Sequence, residues 1–539
     1  MAEEKKEKGE MYHPPFRGMQ LFFFILGILI SGGLVSLDYT ITNAALPYIA
    51  GGVSTSINNA EWFIVSYSMG NAIALSISGF LSQRFGTVRV ILFSLLLYLI
   101  FSLLCGLAFN LTSLMIFRFL QGFFGGPLIP VAQTLLLLHS PLYLRNVVIS
   151  IWGLVLIAAP LSAPVIGAYI AKQYDWSFSF FINIPLAIFA YFILKTLLKK
   201  RETKTFRREF DFYGFLFLCI FVIALQTILT KGQQWDWWNS NLIRILTVVS
   251  LVSFYFLLVT EMGKKEPLMN FRLFKNLSFT LGTVMSVMAY MILFASVAII
   301  PTWLQAGMNY TPVWAGLATL PSLFVAIIIT LFLPRLMQHF RKSFITAICF
   351  FFFFLSFYWM LHFTTNVDVK TIFYARIIFG CGVVYNTTLI ALTFSDITKE
   401  KMASASGIFY FFRIFSGAVG TALFTTIWQR RTIYHHFRII ENVNMFRQPV
   451  KEIDQLLSRL HFFGKEKAAV LNQQTDIQAM MLAMLDIIYL AAIGCVILIP
   501  LVLILGQIRM NAIKKKRKRK SAESTVIKDT KNRVLGESK

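Results

Sequence analysis

Residues 33–47 read GLVSLDYTITNAALP and set one carboxylate, Asp38, inside the first long apolar run of the chain, which begins near Met19. A carboxylate deep in hydrocarbon costs at least about 2.5 kcal/mol even on the most lenient insertion scale. Something must offset that cost or use it. Arg118, in the fourth apolar run, is the natural partner. Counted back from Pro47 and forward from Asn110, both residues sit on the order of 12 Å below the same end of their helices. Ser31, Asp38 and Thr42 share one face of the first helix, and Arg118, Gln121, Gly122 and Gly125 share one face of the fourth. Polar faces of this kind turn to a bundle interior rather than to lipid. Two readings stay open. Asp38 is a fixed strut, permanently paired, or it is a carboxylate that loads and releases a proton as a cavity opens to either side. Few other carboxylates lie as deep, because Asp211, Glu261 and Asp396 fall at one set of span ends and Glu61 and Asp486 at the other. Arg376 and Arg413 are the remaining bases inside apolar runs, with Arg413 nearer the middle of its own.

The elements that must hold these residues are membrane helices. Of 539 residues 57% are hydrophobic, 54 are Phe, and only 14% are charged, where a soluble domain carries roughly 25%. A polar surface cannot be made from that composition. Fourteen segments are long enough to span, given the need for roughly 20 apolar residues: 19–46, 60–82, 89–109, 112–136, 147–171, 178–197, 211–230, 242–261, 277–300, 312–334, 344–363, 371–394, 404–428 and 481–508. The first is too long for a cleavable signal peptide and is followed by no small-residue cleavage site, so it is expected to remain as a span. Short loops fix the orientation. Arg84, Arg89, Arg145, the 195–208 cluster, Lys264, Lys265, Arg272, Lys275, Arg335, Arg341, Lys342, Lys399 and Lys401 all fall on one side, with the basic N-terminal segment and the KKKRKRK run at 514–520. That side is expected to be the cytoplasm. The net charge of +25 gathers there, and a basic run directly after an apolar span reads as an anchor to anionic lipid rather than a nucleic-acid site.

Residues 429–480 stand apart as a long polar segment on the other side, with Val450, Ile453, Leu457 and Leu460 at helical spacing. An amphipathic hairpin on the surface and a docking site for an extracytoplasmic partner both fit it. The fifth span, WGLVLIAAPLSAPVIGAYIA, carries Pro160, Pro164 and Gly167. Proline removes a backbone hydrogen bond and small residues let helices approach closely, so this helix serves packing alone or a rocking interface. No GxxxxGK[ST], HExxH, paired-His ladder, GxSxG or TVGYG occurs, and no nucleotide-driven, proteolytic, lipolytic or ion-channel chemistry is therefore visible. No catalytic residue, metal ligand or cofactor is expected. The five cysteines, all in apolar stretches without CxxC spacing, read as small buried hydrophobes.

The basic turns SQRFGTVRV and LPRLMQHFRKSF occupy corresponding places in two halves if two spans are inserted centrally. With the motifs above, the chain resembles the major facilitator superfamily, and within it the fourteen-span drug:proton antiporters of the EmrB and QacA type. LDYTITNAALPYIA (37–50) resembles the first-span motif. GFLSQRFGTVR (79–89) resembles the loop motif through Gly79, Arg84, Gly86 and Arg89, with Gln83 where an aspartate is usual. RFLQGFFGG (118–126) resembles the fourth-span motif, and the fifth span the antiporter motif, with Ala163-Pro164 and Gly167-Ala168 departing from it. WSFSFFINIP, GQQWDWWNS, LQAGMNYTPVWAG and ASGIFYFFRIFSGAVGTAL share the family's look, and the stretch GGPLIPVAQTLLLLHSP and the segment before the last span bring the chain closest to the EmrB branch.

The resemblance implies an all-α polytopic membrane protein with the major facilitator fold. Its parts would be a cytoplasmic segment 1–18, a six-helix bundle 19–197, a linker with two extra spans 198–275, a second six-helix bundle 276–508 containing the extracytoplasmic segment 429–480, and a basic tail 509–539. It implies proton-driven export of hydrophobic drugs or toxic compounds across a bacterial inner membrane, powered by the proton gradient with no cofactor. Asp38 and Arg118 would couple protons, and Thr42, Gln121, Gly122, Gln305 and Arg413 would line or gate the substrate cavity. EmrB-type pumps work with a membrane-fusion adaptor and an outer-membrane channel, and 429–480 is where such an adaptor would touch. The same fold exporting one metabolite, siderophore or lipid is the nearest alternative. A non-transporting scaffold for an adaptor is the alternative of another class, and the cost of the intramembrane pair argues against it.

Overall fold

The computed structural model describes residues 15–206, 209–264, 267–398, 401–441, 443, 448–459 and 461–536. The N-terminal lysines, Lys265 and Lys399 lie outside these residues, as do the side chains of Ala163, Pro164 and the 514–520 run. Among the described residues, fourteen helices are long and apolar enough to cross a membrane. They are α1 Gly18–Asn43, α2 Asn59–Phe85, α3 Thr87–Gly106, α4 Leu111–His139, α5 Leu142–Ser162, α6 Phe178–Leu197 and α7 Phe212–Lys231. They continue with α8 Asn241–Gly263, α9 Leu277–Ala306, α10 Val313–His339, α11 Lys342–Met360, α12 Val369–Thr393, α13 Met402–Ile440 and α14 Lys465–Met510. No strand occurs among the described residues, as expected where every backbone polar group must be satisfied within its own helix.

Local chemistry sets where the important helices begin. Asn110 accepts the Ser113 N–H at 2.7 Å while Ser113 Oγ accepts the Asn110 N–H at 3.4 Å, a capping box that starts α4 two turns before Arg118. Asp211 caps α7 through the Gly214 N–H at 2.9 Å, and Asn276 caps α9 through Ser278 and Phe279. The helix of α4 is interrupted between Gly125 and Leu128, around Pro127, which has no N–H to continue the ladder.

The buried apolar side chains gather in two large clusters and a small one. One cluster is built from α1–α6, the hairpin α7–α8 and parts of α12 and α13, and the other from α9–α14 with Ile157 and Leu161 of α5. The small cluster, with Ala45, Phe63 and Phe180, sits at the far end of the first six helices. The hairpin α7–α8 packs on itself and leans on α2 and α13. At the basic end α2 and α13 almost touch, since a Cβ on Gly79 would lie 2.6 Å from Ser404 Cα. At the opposite end a Cβ on Gly316 of α10 would meet the Val165 side chain, on the helix that continues α5, at 2.8 Å.

The spacing of Val450, Ile453 and Leu457 in the segment 429–480 is met by a helix at Gln448–Arg459, with Leu460 outside the described residues, but the segment is not a hairpin standing apart from the spans. The helix of α13 runs on to Ile440 and that of α14 starts at Lys465, so most of the polar segment continues two membrane helices. At 39 residues and 1.5 Å each, the α13 helix is about 58 Å long, nearly twice the hydrocarbon thickness. Arg431 Nε and His435 Nε2 both meet Asp486 Oδ2, at 2.6 and 2.8 Å, and His436 lies 2.7 Å from Asp476, tying the two extensions together. Hydropathy misses such an extension because its helices are held by side-chain pairs rather than by an apolar run.

Close approach of backbones governs the α2–α4 contact. A Cβ on Gly122 would stand 2.2 Å from the Tyr67 carbonyl oxygen, and one on Gly70 2.1 Å from the Phe119 carbonyl oxygen. Gly122→Ala and Gly70→Ala are each expected to destabilise the fold by about 1–3 kcal/mol, read as an earlier thermal unfolding midpoint of the purified protein. Gly51→Ala, whose Cβ would meet nothing within 4 Å, is the control. Unchanged melting of the first two would show the helices free to part.

Candidate functional site

Asp38 and Arg118 meet. Arg118 Nη1 donates to Asp38 Oδ2 at 2.6 Å, and both side chains are fully buried. The other carboxylate oxygen accepts Asn183 Nδ2 at 2.6 Å, from the start of the regular helix in α6. Arg118 Nη1 also donates to Gln121 Oε1 at 2.8 Å, and Nη2 to Thr42 Oγ1 at 2.9 Å. Thr42 turns its own hydroxyl proton to the Asp38 carbonyl at 2.7 Å, one turn back along α1. The Tyr67 ring lies under the guanidinium at 4.2 Å, with Phe180 at 5.4 Å and Phe63 at 6.0 Å. Aromatic faces around a desolvated cation add attraction where water is excluded. Desolvating two ions costs several kcal/mol each, and only good geometry with further hydrogen bonds offsets it. Three hydrogen-bond partners from α1, α4 and α6 provide that here, with the Tyr67 ring of α2 against the guanidinium.

Sequence reasoning missed Asn183, Tyr67 and Phe180. An asparagine in the apolar stretch FFINIP was a usable signal for the first, since a lone amide in a span needs a partner. Nothing local marked the two aromatics among so many. Three polar atoms of the site stay without partners among the described residues: Arg118 Nε, Gln121 Nε2 and Asn183 Oδ1.

Beside the pair lies a chamber of about 60 Å³ between the two halves. Ser36, Tyr39 and Thr40 of α1, Tyr67, Ser68 and Asn71 of α2, Pro160 of α5, Tyr290 and Phe294 of α9, and Phe411 and Phe415 of α13 form much of its wall. The residues expected to line or gate a cavity fall elsewhere. Thr42 and Gln121 hold Arg118, and Gly122 is spent on the close α2–α4 approach. Gln305 is exposed near the end of α9, its amide donating to the Pro301 carbonyl of its own helix at 3.2 Å, because the preceding turn takes the buried side. Arg413 is buried and stands over Tyr290, a wall residue, at 4.5 Å and beside Tyr410 at 5.6 Å. All three of its guanidinium nitrogens lack a hydrogen-bond partner among the described residues. Arg376 donates to Ser296 Oγ at 3.1 Å and stacks on Phe379 at 4.1 Å.

The loop motif is supported from an unexpected place. Gly79 allows α2 to meet α13, and Gly86 turns the chain at φ +96 between α2 and α3. Gln83 accepts the Phe206 N–H on its carbonyl at 2.8 Å. Glu202, in the basic linker after α6, accepts the N–H groups of Val88 and Arg89 at 2.9 Å each, so a carboxylate sits on the N-terminus of α3. The side chains of Arg84 and Arg89 are exposed, Arg84 beside Phe80 and Phe85. The fifth span meets the second half along its length. Trp152 Nε1 donates to the Tyr410 hydroxyl at 3.0 Å, Asn386 Nδ2 to the Gly153 carbonyl at 3.3 Å, Pro160 lines the chamber, and Gly167 is buried.

Comparison with known proteins follows this geometry. The family model of the Major Facilitator Superfamily matches residues 28–421. Multidrug export protein EmrB of Escherichia coli (strain K12) is 32% identical over 490 residues, which cover 90% of this chain and 96% of that one. EmrB of Haemophilus influenzae is 32% identical over 483 residues, covering 89% and 95%. Fatty acid resistance protein FarB of Neisseria gonorrhoeae is 31% identical over 493 residues, covering 91% and 97%.

Removing one partner of a buried pair strands the other charge, at a cost of about 3–5 kcal/mol. Arg118→Ala is therefore expected to unfold at markedly lower temperature than the wild type. The double variant Asp38→Asn/Arg118→Gln, with no net charge to strand, should recover part of the loss. Two single variants whose effects simply add in the double would mean the two groups do not depend on each other.

Proposed function

We propose that this chain, which belongs to the major facilitator superfamily and is a multidrug efflux transporter, couples export to protons through Asp38. The observation that carries this reading is the shared position of Tyr67. One ring covers the Arg118 guanidinium and also lines the chamber, and it stacks near Tyr39, the residue after Asp38, at 6.1 Å. A substrate seated in the chamber presses on the two tyrosines that bracket the ion pair.

Protonation of Asp38 would forfeit the Coulomb attraction of Arg118 and one acceptor position, so proton loading goes with separation of the pair. Both residues, with Asn183, Gln121 and Thr42, belong to the first six spans. Rocking of rigid halves leaves them together, and α1 itself must shift against α4. In this scheme the proton enters from the extracytoplasmic side as Asp38 leaves Arg118, and departs inward when the pair re-forms. Substrate in the chamber and proton on Asp38 thereby alternate, and no cofactor is required.

Hydrophobic drugs are the substrates this wall fits, and the similarity to a fatty acid resistance protein adds lipophilic acids. Arg413 and Arg376, buried cations without a carboxylate partner among the described residues, favour neutral or anionic compounds over cations. The chain sits in the bacterial inner membrane with the arginine- and lysine-rich loops and both termini in the cytoplasm, by the positive-inside rule. The joined extensions of α13 and α14 then project outward. On the first, Ile433, Phe437 and Ile440 are exposed at i, i+4 and i+7, a face suited to a membrane-fusion adaptor leading to an outer-membrane channel.

Dye accumulation in inverted vesicles under an imposed pH gradient tests the coupling. The wild type should concentrate dye, and Asp38→Asn, folded and inserted, should lose at least 90% of gradient-driven uptake, a tenfold drop or about 1.4 kcal/mol. Transport by Asp38→Asn at the wild-type rate makes Asp38 a strut. The docking face has its own readout. Ile433→Asp/Phe437→Asp should lower drug resistance of intact two-membrane cells while vesicle transport persists, and equal performance in both settings would remove the face from the adaptor contact.

A further inference from the structure

The hairpin α7–α8 is extra to the two six-span sets, yet it reaches the chamber. Gln226 of α7 is only 3% exposed and lines the same wall as Asn71 of α2, itself 4% exposed. Neither amide is used by the protein: Asn71 Nδ2 is buried with no hydrogen-bond partner, and the Gln226 side chain makes no hydrogen bond among the described residues. Two neighbouring hydroxyls are already spent, with Thr40 Oγ1 donating to the Ser36 carbonyl at 3.0 Å and the Tyr67 hydroxyl to the Val35 carbonyl at 3.3 Å. A buried amide without a partner carries a desolvation penalty, which a ligand bearing a matching group would remove.

A second cavity adjoins on the same side. It measures about 110 Å³, has an entirely apolar lining that includes Phe221 of α7 with Phe254 and Leu257 of α8, and shares Phe411 and Phe415 with the chamber. One hairpin thus supplies an amide to the central space and an apolar wall to the space beside it. We propose that α7 and α8 form part of the substrate site, where Gln226 and Asn71 hold the hydrogen-bonding group of an uncharged lipophilic compound while the phenylalanine-walled side cavity takes its apolar body. This assignment rests on the exporter reading and names the chemistry its chamber selects.

The test uses the full chain in inverted vesicles under an imposed pH gradient, with two probes. N-phenyl-1-naphthylamine is neutral and has one N–H, and 1,6-diphenyl-1,3,5-hexatriene is neutral and has no hydrogen-bonding group. Gln226→Leu and Asn71→Leu should each raise the half-saturating concentration of the naphthylamine at least threefold more than that of the hexatriene, as expected for one lost neutral hydrogen bond. Gln226→Asn, which keeps an amide, should recover part of the difference. Thr227→Val, whose hydroxyl serves the Ile223 carbonyl of its own helix at 2.8 Å, should move neither probe. If both probes are transported and the leucine variants shift them alike or not at all, the amide site is wrong while the exporter reading stands. If the wild type concentrates neither probe, both fall together, and Asp38→Asn in parallel shows whether any residual uptake is gradient-driven.

Discussion

The structure depends on keeping one pair of opposite charges dry. Asp38 and Arg118 sit fully buried at 2.6 Å, in surroundings where an unpaired ion would be expelled or neutralised. The pair is tolerable only because its remaining valences are filled from several helices, and those contacts dictate much of the first half. Thr42 must follow one turn after Asp38, Gln121 one turn after Arg118, and Asn183 must open the regular helix of α6 facing inward. Tyr67 must lie flat against the guanidinium, which brings α2 and α4 so near that glycine alone fits at 70 and 122. Electrostatics and packing are here one constraint.

The second half is organised differently. Its bases, Arg376 and Arg413, are as deeply buried, but aromatic rings rather than carboxylates receive them. A cation over a ring is stabilised by far less than a cation in an ion pair once water is gone, and guanidinium nitrogens are left without hydrogen-bond partners among the described residues. The first half thus holds a complete charge pair, and the second holds two cations faced by rings, with no carboxylate partner among the described residues.

Much of the fold was legible because its determinants are local. Apolar length located all fourteen spans, and the depth of Asp38 below Pro47 and of Arg118 below Asn110 brought the two together before any contact was known. What escaped depends on neighbours distant in sequence. Glu202 looked like one acid in a basic linker until the start of α3 folded against it. Gln226 lay in a span set aside as extra, and only the position of α7 against α2 and α13 carries it to the chamber. Gln305, which the resemblance put at the cavity, occupies an exposed face near the end of α9. The helical extensions of α13 and α14 were invisible to an apolar window since Arg431, His435 and Asp486 hold them.

These features bear on the coupling proposed for Asp38. The ion pair lies wholly within the first six spans, whereas the chamber wall is drawn from α1, α2, α4, α5, α7, α9 and α13. The chamber therefore spans both halves and the hairpin, but the ion pair does not. A motion that only tilts one half on the other changes access to the chamber and leaves Asp38 on Arg118. Exchange of a proton for a substrate requires the two events to be linked through residues that belong to both the pair and the wall. α1 meets that requirement, since Asp38 faces Arg118 while Ser36, Tyr39 and Thr40 face the chamber. Tyr67 meets it from α2. Any displacement of α1 driven by an occupant of the chamber is felt within one helical turn by the carboxylate, a shorter path than any that runs through the interface between halves.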